Sequence, residues 1–449
     1  MRDRIIKFIR DFHHERGFVE IETPILTKST PEGSRDYLVP SRIEHGKFYA
    51  LPQSPQQFKQ LSMIGGFDKY FQIPRCFRDE DLRANRAPEF TQLDVEMSYI
   101  DEEDIYAHTE AMVVGLINEF TSNAVSAPFP RFTYNEAIEK YGVDKPDLRF
   151  DLQIMDISGA FPKSGVKIFQ DVLAAGGTIR CLCLTGAQPS RKEIDGFQAE
   201  ASKGGAKGLA WITFEEGGKI RSPLAKYLTE DEILKVMELS GAREKDTVLI
   251  VAGEKKIVLE SLGFLRIALG KHYGLIEPGV FRVCWVTDFP MFEFSEFEGK
   301  IVSQHHPFTQ PRADHWQAWV DAGKPMEGEL LYGMLSRSYD IVLNGDEIGG
   351  GSIRIHNSGQ QRDIFKVLGF GEKEMQEKFG FFLEALSYGT PPHGGIAPGI
   401  DRIVMHLLGA ESIAECMAFP KTLKATDVMM GCPSPVSEEQ LKELGLKLL

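Results

Sequence analysis

Three stretches of this chain bring cations, carboxylates and ring side chains together at spacings that could do chemistry. Between residues 69 and 100 two alternating strands flank the charged loop 80–88. In the second strand Leu93, Val95, Met97 and Tyr99 share one face, and Phe90, Gln92, Asp94 and Glu96 share the other. Arg78 and Glu80 share a face of the first by the same period. Such a surface suits a charged, ring-bearing ligand, and the same pattern also describes a polar face in water. In the second stretch, Asp340 and Glu347 flank an Asn344-Gly345 hairpin turn. Two carboxylates on neighbouring strands could hold Mg²⁺ beside phosphate oxygens, although the register is left open. Gly349-Gly350-Gly351 follows, with no side chains to keep a ligand away, and then Ser352, Arg354 and His356 on one strand face. The third stretch, His393 to Arg402, is a glycine-rich strand-to-helix junction, where free N–H groups favour phosphate. It is neither a Walker loop nor a GxGxxG fingerprint. His305-His306 lacks a third ligand in view, so a polar or structural role is favoured over metal binding.

The elements that must position these residues are legible by period. Ile5, Ile6, Ile9 and Phe12 predict a helix over 4–16, stopped by Gly17. Residues 18–24 alternate like a strand that Pro24 ends. The turn-rich run 27–36 is a candidate lid. After a short strand at 48–51, Ser54 as N-cap, Pro55 at the first helical position and Gln57 as capping-box partner predict a helix, with Gln56 and Lys59 on one face. Asp101 starts another helix over 101–121. From about 148 to 282 strand-like runs (179–184, 209–214, 247–251) alternate with helical ones (192–203, 230–239, 255–271), as in an α/β domain inserted into the chain. The implied domains are 1–147, 148–282 and 283–449.

Composition narrows the class. Lys and Arg number 51 against 65 Asp and Glu, a formal charge of −14, which opposes general nucleic-acid affinity but permits a local basic patch. The N-terminus lacks a secretory apolar core, and no stretch predicts a membrane span. Cysteines 76, 181, 183, 284, 416 and 432 contain no CxxC, so a cytoplasmic, reducing location with neither zinc nor disulfides is expected.

Gly17 to Pro24, Cys76 to Glu80 with Pro88 to Asp94, and Gly399 to Arg402 resemble motifs 1, 2 and 3 of class II aminoacyl-tRNA synthetases. Thr30 to Tyr37, Gln53 to Gln60 and Gly349 to His356 resemble the bacterial aspartate-specific branch, and 148–282 resembles its extra (GAD-type) domain. The resemblance runs in order over essentially the whole chain. It implies an α+β fold: a class II antiparallel sheet flanked by helices, carrying the inserted domain, and a homodimer through motif 1. It also implies two steps, in which ATP and L-aspartate give aspartyl-adenylate, whose aspartyl group passes to the 3′ end of tRNA(Asp), with tRNA(Asn) left open as a second acceptor.

Position by position, the resemblance implies that Arg78 holds the α-phosphate and substrate carboxylate, that Glu80 binds the adenine edge and that Phe90 stacks on the ring. Arg402 would hold the γ-phosphate, and Asp79, Arg86, Glu347, Gly399, Ile400 and Asp401 would complete the ATP site. Arg78, Arg402 and Glu347 would be the catalytic set, with Asp340 and Glu347 on Mg²⁺. Lys59 and Arg354 would read the aspartate side chain, while Ser54, Gln56, Gln92, Asp94 and His305 orient it and Glu32 closes over it. Ala87 and Pro398 depart from residues common in relatives, with modest effects on nucleotide affinity expected. Relatives also carry an N-terminal barrel that reads the anticodon, and the chain begins almost at motif 1, so weak tRNA binding is expected. A paralogue that passes aspartate to ammonia, and an inactive RNA-binding module, are the competing readings.

Overall fold

The computed structural model describes every residue except 31, 32, 81, 297 and 449, and the expectation for Glu32 therefore lies outside the described residues. The chain divides into two compact units, one of residues 1–130, 287–341 and 347–449, the other of 131–286 and 342–346.

In the first unit an antiparallel-dominated sheet runs in the order Val19–Glu20, Lys69–Gln72, Asp94–Ser98, His393–Pro398, Asp346–Ile353, Ser338–Leu343. The first pairing is parallel and the next three are antiparallel. The strand expected over 18–24 shrinks to two residues, and Ile21 N–H then bonds Phe71 O at its end. Helix Arg2–His14 buries Ile5, Ile9 and Phe12 of the predicted stripe together with His13, and leaves Ile6 only partly buried. Helix Glu102–Phe120 begins at Asp101, whose carboxylate accepts from the Glu103 and Asp104 N–H groups in a capping box.

Two further local expectations fail. The helix after Ser54 is Gln56–Ile64, with Pro55 rather than Ser54 at the cap and no side-chain cap bond. Ser54 Oγ instead accepts from Gln56 N–H at 3.3 Å, a bond within the turn that enters the helix. Tyr99 leaves the apolar face, because the strand ends at Ser98 and Tyr99 takes a φ of 59° that turns its ring outward, 75% exposed.

The second unit holds a five-stranded sheet in the order Ile220–Arg221, Ala210–Phe214, Thr247–Gly253, Thr178–Leu184, Met155–Asp156, all paired antiparallel. Its central strands are apolar on both faces because each face has its own core. Leu182, Leu184, Leu249 and Val251 pack with helix Lys255–His272, while Ile179, Cys181, Val248 and Ile250 join Phe161, Phe169 and Val236. Cys181 is a core residue, and burial pushes its thiol pKa up. Buried Arg266 donates to the carbonyls of Asp147, Phe150 and Leu152 and stacks 4.0 Å from the Phe150 ring centre, tying the segment 147–152 to the long helix. Among the described residues no helix is long and apolar enough to cross a membrane.

Glycine decides one helix contact in this unit. A Cβ on Gly263 would lie 2.7 Å from Gly142 O, and one on Gly142, whose φ is +72°, 2.3 Å from Leu259 O. In an open helix Gly→Ala stabilises by about 1 kcal/mol. Gly196, with nothing within 4 Å of its would-be Cβ, should gain about that much on Gly196→Ala. Gly263→Ala should instead lose about 1–3 kcal/mol through overpacking. Urea unfolding of the two variants checks the opposite signs.

Candidate active site

The strand Asp94–Ser98 is buried on both faces, so its polar side does not meet water. Asp94 and Glu96 are fully buried, and facing them are Lys59 from helix Gln56–Ile64 and Arg354 from the end of strand Asp346–Ile353, each 1% exposed. Lys59 Nζ lies 2.5 Å from Asp94 Oδ1 and 3.2 Å from Glu96 Oε2. Arg354 grips Glu96 with its planar fork, Nε to Oε1 at 2.9 Å and Nη2 to Oε2 at 3.1 Å. Its remaining nitrogen, Nη1, donates to Ser352 Oγ at 2.7 Å and sits 2.6 Å from His306 Nε2. Two cations and two carboxylates thus form one dry, neutral cluster with Glu96 at its centre.

The protonation states follow from this packing. Burial favours a protonated Glu96, but Arg354 and Lys59 outweigh it and hold its carboxyl down to about 2. Asp94 moves the other way, because burial raises its pKa and the Lys59 ammonium offsets only part of that. Burial pushes His305 down to about 4 and His306 well below its usual value, so both rings are neutral at pH 7 and His306 can accept from the guanidinium. Beneath the cluster, Gln56 Nε2 donates to Gln60 Oε1 at 2.9 Å, and Gln60 Nε2 lies 3.0 Å from His393 Nε2.

Glycines make room for these charges. A Cβ on Gly395 would lie 2.0 Å from Glu96 Oε2, and one on Gly351 2.1 Å from Gly395 O. A Cβ on Gly350 would meet Asp340 Oδ1 at 2.6 Å, Glu347 Oε1 at 3.5 Å and His305 Cε1 at 3.6 Å. The hairpin therefore does bring Asp340 and Glu347 over one spot, with Asn344 and Gly345 at φ 54° and 87° in the two turn positions that need the left-handed region. His305 Nε2 is 3.4 Å from Asp340 Oδ1. Among the described residues no group of three or more His, Cys, Asp or Glu forms a metal centre. Two converging carboxylates are nonetheless a donor set that fits Mg²⁺ shared with phosphate oxygens.

The remaining residues gather in smaller groups. The Arg78 guanidinium lies 5.0 Å from the Phe90 ring centre, across the hairpin of Arg75–Phe77 and Glu89–Thr91. Glu80 accepts from Ser34 Oγ at 2.6 Å and Arg86 Nη1 at 2.9 Å. Arg402, in the first turn of helix Ile400–Leu408, donates to Glu347 O at 2.6 Å and stands 3.9 Å from Glu347 Oε2. Gly399 caps that helix with no side-chain bond, and Ile400 is buried. Asp401 is also buried, its carboxylate held by Arg2 and by Thr91 N–H at 2.8 Å, an arrangement that ties helix Arg2–His14 to motif 2. Gln92 is buried, with Cys76 Sγ 3.4 Å from its Oε1. Asp79 is paired with Arg35. Glu96, His306, Gln60 and His393 escaped selection from the sequence. Glu96 was marked only by sharing the alternating face of Asp94, and Gln60 by its i+4 spacing from Gln56.

Comparison of the sequence with known proteins places the chain in a family. The family model of class II tRNA synthetases (D, K and N) matches residues 1–423. The chain belongs to this family. It is 50% identical over 452 residues to the aspartate–tRNA(Asp/Asn) ligase of Aquifex aeolicus (strain VF5), an alignment covering 100% of this chain and 75% of that one. It is 49% identical to the aspartate–tRNA(Asp/Asn) ligase of Syntrophomonas wolfei subsp. wolfei (strain DSM 2245B / Goettingen), over 100% of this chain and 75% of the relative. To the aspartate–tRNA ligase of Macrococcus caseolyticus (strain JCSC5402) it is 47% identical, over 100% and 74%. Synthetases of this class use ATP.

Removing Glu96's charge tests the cluster. Glu96→Gln leaves Lys59 and Arg354 with one carboxylate between them and should cost about 3–5 kcal/mol of unfolding free energy at pH 7. Because Glu96's folded pKa, about 2, lies below its ordinary 4.5, its contribution is fully present above pH 4.5 and is lost as pH falls through 2. The gap between wild type and variant in urea unfolding should be constant from pH 7 to about 5 and narrow below that.

Proposed function

We infer that this chain is an aspartate–tRNA ligase: it activates L-aspartate with ATP to aspartyl-adenylate, releasing pyrophosphate, and passes the aspartyl group to the 3′ end of tRNA(Asp). Membership of the family and full-length similarity to aspartate–tRNA ligases support the reaction. The observation that carries substrate choice is the buried Lys59–Glu96–Arg354 cluster, in which two cations are held in fixed orientation with a hydrogen-bonding histidine beside them. The named relatives are tRNA ligases, which favours tRNA over ammonia as acceptor, and the two that name both tRNA(Asp) and tRNA(Asn) support tRNA(Asn) as a second acceptor. A homodimer, a cytoplasmic location and an inserted GAD-type domain over 148–282 belong to the same proposal.

The chemistry explains the residue types. The nucleophile is a carboxylate already ionised at pH 7, so no general base is required. The difficulty lies in an anion approaching an anion while charge grows on phosphoryl oxygens, which fixed cations relieve. Arg78 would hold the α-phosphate and the reacting carboxylate, Arg402 the γ-phosphate, and Phe90 and Glu80 the adenine. Mg²⁺, held by Asp340 and Glu347, would supply further positive charge to the phosphates. Lys59 and Arg354 would read the aspartate side chain, with Ser54, Gln56, Gln92 and His305 orienting it and Asp94 facing the α-ammonium. Asparagine would leave both cations short of an acceptor, a discrimination that polar sites make strongly.

Aspartate-dependent ATP–pyrophosphate exchange is the direct test, and wild type should exchange with aspartate and not with asparagine. Arg354→Lys, which keeps the charge but loses the fork, should raise the aspartate KM by about 100-fold with a smaller change in the ATP KM. Unchanged aspartate KM would refute its role. Charging purified tRNA(Asp) and tRNA(Asn) with the same preparation decides the acceptor.

A further inference from the structure

We propose that Gln53 and Ser34 are positioning residues for the nucleotide, acting through Glu80, an inference that rests on the reading of Glu80 as the adenine-facing carboxylate. Both lie in stretches that carry the resemblance, Thr30 to Tyr37 and Gln53 to Gln60, but it gives neither a role, and one continuous chain of hydrogen bonds singles them out. Gln53 is 4% exposed and lies just before Ser54 and the helix that carries Gln56 and Lys59. Its amide pairs with both backbone groups of Ser34, Oε1 accepting from the N–H at 3.0 Å and Nε2 donating to the C=O at 2.7 Å. That pairing copies a rung of a sheet and fixes the rotation of the Ser34 peptide. Nε2 also donates to Asp36 Oδ1 at 2.6 Å, and Asp36 Oδ2 accepts from Ser29 Oγ at 2.7 Å. Ser34 Oγ in turn donates to Glu80 Oε1 at 2.6 Å, while Arg86 Nη1 donates to Oε2 at 2.9 Å.

Glu80 is therefore held in one orientation by one donor on each oxygen, with its side chain still 26% exposed. A carboxylate has about four lone-pair sites, so two remain for the 6-amino group of adenine. Hypoxanthine presents a carbonyl oxygen at that place and would meet the carboxylate acceptor to acceptor. A Glu80 free to rotate would keep some affinity for adenine and lose discrimination between the two bases. The route through Gln53 also joins the segment beside Ser54 and Lys59 to the nucleotide side.

The experiment compares wild type, Ser34→Ala, Ser34→Thr and Gln53→Ala in aspartate-dependent exchange with ATP and with ITP. Ser34→Ala and Gln53→Ala should each raise the ATP KM about five- to ten-fold, leave the aspartate KM within about two-fold, and shrink the ATP-to-ITP ratio of kcat/KM. Ser34→Thr, which restores the hydroxyl, should recover the ATP KM and the ratio. Unchanged ATP KM and ratio in Ser34→Ala overturn the proposal, as does an equal rise in both substrates' KM. Calorimetric titration with ATP alone keeps the two readings separate. Wild type that binds ATP without exchanging sinks the proposed reaction, and the Ser34→Ala shift in ATP affinity still decides this inference. Should Gln53→Ala fail to fold, Ser34→Ala and Ser34→Thr carry the same comparison.

Discussion

Everything in the candidate site depends on keeping two cations and two carboxylates out of water together. Moving any one of Lys59, Asp94, Glu96 or Arg354 into the interior alone would cost several kcal/mol, and only mutual attraction with good geometry offsets it. The four come from separate places in the chain: helix Gln56–Ile64, strand Asp94–Ser98 and the end of strand Asp346–Ile353. The sheet brings them together through strand His393–Pro398, which pairs with the other two strands and places Gly395 opposite both Glu96 and Ser352. Glu96 is the hinge of the cluster, because it alone touches both cations. Before any ligand arrives, the cations already have fixed directions, and a substrate carboxylate would not have to order them.

The glycine runs take on a meaning different from the one their composition suggests. Gly349-Gly350-Gly351 and Gly394-Gly395 read as backbone open to a ligand. In the fold, Gly395 is open to Glu96, Gly351 to the neighbouring strand and Gly350 to the Asp340 carboxylate. The absent side chains accommodate the protein's own charges first, and whatever binds does so against charges that the glycines have let in.

Much of the architecture was legible because it rests on local rules. The stripe of Ile5, Ile9 and Phe12, the Asp101 cap and the Asn344-Gly345 turn are set by neighbours in sequence, and each forms as its residues dictate. The strands and helices between 178 and 272 fall where their periods place them. The misses share a cause. The Ser54 capping box and the apolar reading of Tyr99 depended on where an element ends, and tertiary pairing moves such ends by a residue or two.

The sequence by itself determined the residue types, the alternating faces and the motif order, and the class of chemistry followed from the family resemblance that this motif order carries, not from the residue types alone. It could not determine whether the face of Asp94 and Glu96 met water or protein, because a polar face in a period-2 pattern looks the same in both. Nor could it reveal Glu96 as the partner of both Lys59 and Arg354, or Gln53 as the clasp on Ser34, since those contacts span 37, 258 and 19 positions. Burial and long-range pairing are properties of the folded sheet, and only there did a row of charges become a single neutral cluster.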